Sequence, residues 1–137
     1  GDSMVPMPQF STINGVSVTA MFAQSDIDAI NQRTKGGGAE IVNLLKTGSA
    51  YYAPSAAAVA MAKSIMRDEK RLLPAAAHLT GQYGLEDIYI GAPVVLGKNG
   101  VERVVELELD DEGRAKLHAS AEAIRQDVAT LAEKGLV

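Results

Sequence analysis

GGGAEIVNLLKTGSAYYAPSAAAVAMAKSIM, residues 36–66, decides how this chain is read. Three consecutive glycines fall inside a helical pattern. Each costs a helix about 1 kcal/mol relative to alanine, so a run of them implies close approach by another backbone or a ligand. The apolar residues Ile41, Leu44 and Leu45 follow at helical spacing. Lys46-Thr47-Gly48 carries the basic residue and glycine of a helix stop. A second helix is predicted to start at Ala53 or Pro54, because proline suits a first turn. Its Ser55, Ala56, Ala57, Ala58, Ala60 and Ala62 carry little bulk, so something large should lie against them. Its expected apolar stripe is Val59, Ala62, Ile65 and Met66.

Upstream, Ser25 is a candidate cap for a helix opening with Asp26 and Asp28, acidic residues that suit a helix N-terminus. Ile27 and Ile30 continue its apolar face, and the expectation is one long helix bent or broken at Gly36–Gly38. Pro6 and Pro8 make any earlier strand irregular. Asn14-Gly15, between short extended runs, is a strong hairpin signal.

Downstream, Arg67 to Arg71 reads as a solvated helix exit. Residues 72–80 follow, where Pro74 makes the first half an edge or irregular strand, with a turn at Gly81-Gln82-Tyr83-Gly84. A strand at 88–96, interrupted by Gly91 and Pro93, leads to a hairpin turn at Gly97-Lys98-Asn99-Gly100. From Val101, alternation places Val101, Val105, Leu107 and Leu109 inward and Glu102, Glu106 and Glu108 outward, with Arg103 and Val104 out of phase. Asp110-Asp111-Glu112 opens a last helix whose stripe is Leu117, Ala121, Ile124, Val128 and Leu131. The fold class is therefore α+β: long kinked helices packed on a twisted antiparallel sheet, with a C-terminal amphipathic helix.

At 137 residues the chain is at most one domain, with no internal repeat. A net charge of -4 and the lack of a Lys/Arg cluster argue against a nucleic-acid partner. No cysteine is present, which excludes a disulfide scaffold and a thiolate-held zinc. No apolar run reaches membrane-spanning length, and no signal-like segment opens the chain. His78 and His118 have no carboxylate or second histidine at ligand spacing and read as structural or surface residues. Tyr51 and Tyr52 read as packing, or as a pocket wall beside the interhelical turn. No Walker, GxGxxG or HExxH pattern occurs.

Together, GDSMVP at the start, STINGV, residues 36–61, KRLLPAAAHLTGQYG and DIYIGAPVVLGKNGVERVVELEL resemble the C-terminal half of bacterial, lactate-dehydrogenase-like malate dehydrogenases. The resemblance spans Gly1 to about Leu131. It implies reversible hydride transfer between malate and NAD, giving oxaloacetate. A histidine serves as base, an aspartate orients it, and arginines clamp the substrate carboxylates. In the family that histidine immediately precedes a Gly-Asp pair, which here is Gly1-Asp2. The histidine, its aspartate, the arginines and the Rossmann domain all lie upstream in the family. The expectation is thus a single domain over 1–137 that lacks the NAD-binding half, has no catalytic residue of its own and is inactive alone.

By the resemblance, Ser49 and Ala50 border the substrate and Pro54 borders the nicotinamide. Lactate dehydrogenases tend to carry threonine where Ala50 stands, so Ala50 leans toward malate. The implied partners are the N-terminal Rossmann half and sister subunits in a homodimer or homotetramer, in a cytoplasmic enzyme; no metal, nucleic acid or membrane is implied. The small-residue helices would find their large neighbours in those partners, and the isolated chain would be marginally stable. Two other readings stand beside this one: a non-catalytic domain used for assembly or as a scaffold, and a lactate or other 2-hydroxyacid dehydrogenase.

Overall fold

A computed structural model describes residues 3–136. The chain divides into two compact units, one ending at Ala50 and the other beginning at Tyr51.

In the first unit a short 3-10 turn, Pro8–Phe10, has proline where a helix needs no N–H donor. It leads into a hairpin of β1 (Thr12–Ile13) and β2 (Val16–Ser17). Asn14 and Gly15 both take positive φ, 50° and 84°, as a two-residue turn matched to strand twist requires. The strands are shorter than the sequence suggests. The Ser17 side chain accepts a hydrogen bond from Thr19 N–H and caps the single turn α1 (Val18–Met21).

Helix α2 (Gln24–Leu45) then runs for 22 residues. Its cap position is Ala23, without a side-chain bond; Ser25 lies inside the helix rather than capping it. Asp26 stands in the first turn, as its charge favours. Of the expected bend or break at Gly36–Gly38, no break occurs: the helix is continuous through all three glycines. Arg33 braces this weak stretch by donating to both carboxylate oxygens of Glu40, at 3.2 and 3.0 Å.

The second unit opens with α3 (Tyr52–Met66), followed by β3 (Arg71–Thr80), β4 (Glu86–Gly97), β5 (Gly100–Val104) and α4 (Asp111–Glu133). The strands form one antiparallel sheet in the order β3-β4-β5. β3 lies at the edge, where Pro74 is tolerated. β4 is central yet passes uninterrupted through Gly91 and Pro93. Two placements explain this. Pro93 pairs with Pro74 at a non-hydrogen-bonded position, where both nitrogens point away from the β3–β4 ladder and neither missing donor interrupts it. On the β5 side, Pro93 is an acceptor only, receiving Val105 N–H at 2.8 Å.

The core joins Leu79, Tyr83, Leu85, Ile88, Ile90 and Ala92 to Leu117 and Ala121 of α4. Asp110 caps α4 through Gly113 N–H at 2.7 Å. Of the expected α4 stripe, Leu117 and Ala121 are buried and Ile124 is half-buried, whereas Val128 and Leu131 are exposed. The β5 alternation also departs from expectation. Val95 pairs with Arg103 and Leu96 with Val101, so Glu102 is a bulge that shifts the parity. Val104 consequently packs on the core, and Val101 is exposed.

On α3 the inward residues are not Val59, Ala62 and Met66, which are exposed, but Ala60, Met61, Ser64 and Ile65. Ser64 is fully buried; its hydroxyl donates to the Leu96 carbonyl and accepts from Arg71 N–H. The architecture is the expected α+β arrangement of helices on an antiparallel sheet, corrected in the continuity of α2 and in the face that α3 buries. Among the described residues, no helix is long and apolar enough to cross a membrane.

Candidate functional site

Two left-handed residues shape the loop that carries the expected substrate wall. Lys46 ends α2 at φ 65°, ψ -28°, with its N–H donated to the Val42 carbonyl at 3.0 Å. Gly48 follows at φ 85°. Lysine rarely adopts this conformation, whereas glycine does so without a Cβ clash. The chain then presents Ser49, exposed, and Ala50, half-buried.

In the second unit, Tyr51 precedes α3 without a side-chain cap, and its carbonyl accepts Ser55 N–H at 3.0 Å. Pro54 occupies the first turn, where its missing N–H leaves no bond unmade. The rings of Tyr51 and Tyr52 sit 5.1 Å apart, and both are exposed. Ser49 offers a hydroxyl, Ala50 a methyl group and Pro54 an apolar ring. None of these can take or give a proton near neutral pH, so none of the three could serve as an acid-base group. Asp2, of the expected Gly-Asp pair, lies outside the described residues.

The histidines are elsewhere in role. His118 Nε2 lies 2.9 Å from the Tyr83 carbonyl and holds the turn between β3 and β4. Tyr83 is itself tied down: its hydroxyl donates to the Val105 carbonyl and accepts from Leu107 N–H. His78 does have a carboxylate neighbour that its sequence surroundings conceal. The β3–β4 pairing leaves Asp87 as an unpaired bulge residue at φ 52°, with Oδ1 3.0 Å from His78 Nε2. Both side chains are exposed, with 41% and 97% of their surface accessible, so the pair has no enclosed substrate space beside it. Among the described residues, no group of three or more His, Cys, Asp or Glu side chains could hold a metal ion.

The Arg33–Glu40 pair was not singled out in the sequence. It borders an open groove of about 440 Å³ along α2, lined by Ile30, Arg33, Thr34, Gly37, Glu40 and Ile41. Hydrogen bonding from Arg33, then its charge, holds the Glu40 carboxyl below the usual range. A separation of seven residues, two helical turns, was the available signal.

Residues 1–134 match the model of the lactate/malate dehydrogenase alpha/beta C-terminal domain. The chain belongs to this family. A malate dehydrogenase of Roseiflexus castenholzii is 60% identical over 131 residues, covering 96% of this chain and 42% of that protein. The solved malate dehydrogenase from Salinibacter ruber superposes with a TM-score of 0.92 at 46% identity, over 98% of this chain and 45% of the other. A lactate dehydrogenase from Eimeria maxima, solved with NADH and oxamate, gives 0.90 at 36% identity, over 100% of this chain and 45% of the other. The chain therefore spans less than half the length of these relatives, and the fold of this lactate/malate dehydrogenase domain is common to both activities.

Proposed function

We propose that this chain is the substrate-side half of an NAD-dependent malate dehydrogenase interconverting (S)-malate and oxaloacetate. The observation that carries this reading is the loop from Thr47 to Pro54. It joins a small, half-buried Ala50 to an exposed Ser49 hydroxyl, in a chain 60% identical to a protein named malate dehydrogenase. A methyl group at position 50 leaves room for the second carboxylate of oxaloacetate, and Ser49 can offer it a hydrogen bond. Identities of 60, 58 and 52% to three malate dehydrogenases favour this activity over the lactate reading.

The residues present fit only part of NAD. Pro54 offers an apolar edge suited to one face of a ring, and the sequence has no glycine-rich phosphate loop, so the dinucleotide is bound mainly by another domain. NAD would supply the hydride acceptor. The acid-base histidine is assigned to the position before Gly1-Asp2, outside this sequence, and the 137-residue chain alone is inactive. Its partners are an N-terminal nucleotide-binding half and sister subunits in a dimer or tetramer. Support for such partners comes from the exposed face of α3, where Tyr52 and Met66 are each 85% accessible and Val59 is 55% accessible. The enzyme is assigned to the cytoplasm.

The test compares kcat/KM for oxaloacetate and pyruvate in the full-length enzyme. A preference for oxaloacetate is expected; a preference for pyruvate overturns the assignment in favour of a lactate dehydrogenase.

A further inference from the structure

We infer that Gly48 is a positioning residue for substrate, setting where Ser49 and Ala50 lie through its backbone rather than through any contact of its own. The inference rests on the function proposed above. Its physical basis is the way the loop is held. Chain direction changes at Lys46 and Gly48, at φ 65° and 85°, with Thr47 between them. Among the described residues, no side-chain hydrogen bond holds Thr47 or Ser49, so dihedral preference does most of the holding in this loop. Lys46 is anchored by its N–H bond to the Val42 carbonyl at the helix end. Among the described residues no backbone hydrogen bond ties Gly48 in this way, and it immediately precedes Ser49 and Ala50. A Cβ there disfavours the left-handed conformation, and a change in φ at this point swings Ser49 and Ala50 together.

The test uses the full-length enzyme that contains this chain. Wild type is assayed first: no turnover of oxaloacetate sinks the functional reading and this inference with it. In an active enzyme, Gly48→Ala is expected to raise KM for oxaloacetate at least about tenfold, with KM for NADH unchanged. Gly48→Asn should restore KM to within about twofold of wild type, because asparagine tolerates positive φ best among the other residues. Should Gly48→Ala fail to fold, Lys46→Val is the substitute. It strains the other reversal at an exposed helix end and should also raise KM for oxaloacetate selectively. A lowered Tm with KM for oxaloacetate unchanged, in whichever of the two folds, overturns the inference and leaves Gly48 with a structural role only. An equal KM rise in Gly48→Asn also overturns it, by assigning the effect to side-chain bulk rather than to φ.

Discussion

Ser64 shows how one polar side chain can be worth more to this fold than its apolar neighbours. It is fully buried in an alanine-rich helix, and its hydroxyl joins α3 to the Leu96 carbonyl at 2.5 Å and to Arg71 N–H at 3.3 Å. Ser64→Ala leaves two backbone groups short of a partner, which should cost about 1–3 kcal/mol. Urea denaturation of the chain would register this as a lower midpoint at unchanged slope. The sequence hid this residue because α3 offers so little contrast between its faces. Reading Val59, Ala62 and Met66 as the inward stripe assumed that apolar means buried, and those three are exposed. A helix of alanines can turn either way, and the hydrogen-bonding serine decides which. Ala50 raises the opposite case: on the proposed function it matters for what it leaves empty. Ala50→Thr in the full-length enzyme should reduce kcat/KM for oxaloacetate by about 10–200-fold, the range for small volume changes in a pocket. Steady-state kinetics with oxaloacetate and pyruvate would register it.

At the scale of elements, α2 carries a deliberate weakness. A Cβ built on Gly36, Gly37 or Gly38 meets nothing within 4 Å. Gly37→Ala should therefore stabilise the isolated chain by about 1 kcal/mol, seen as a higher Tm. In the full-length enzyme the proposed partner, packed close against these glycines, should cancel that gain. The Arg33–Glu40 brace across the glycines adds a pH dependence. The folded-state pKa of Glu40 is lowered, chiefly by hydrogen bonding from Arg33. Its stabilisation is thus full above the ordinary carboxylate pKa and is lost as pH falls through the lowered folded value. Both groups are exposed, so the effect should be small; Glu40→Gln should flatten this part of a Tm-against-pH curve.

Most elements could be read from the sequence because their signals are local. Asn14-Gly15 forms its turn, Asp110 caps α4, and Pro74 marks an edge strand. What escaped depends on pairing between distant segments. The bulge at Glu102 turned Val104 inward, Pro93 fits a central strand because its nitrogen points away from the β3–β4 ladder, and Asp87 met His78 across a hairpin. Register creates each of these contacts, and composition carries no trace of register.

For the whole molecule, the family was legible from long matching segments, and the match over residues 1–134 agrees with them. The candidate site was legible only in part. Ser49, Ala50 and Pro54 were named from the resemblance of the loop between α2 and α3, and their place beside substrate and nicotinamide stands as a proposal. On the proposed function, this chain supplies substrate-facing structure to a malate dehydrogenase and performs no chemistry alone. Oxaloacetate-dependent NADH oxidation, followed by absorbance, tests it most directly, with the 137-residue chain and the full-length enzyme assayed side by side. Turnover is expected from the full-length enzyme and none from the chain, even when the chain melts cooperatively as a folded species. Turnover by the chain alone, or a full-length enzyme inert toward oxaloacetate, would contradict it.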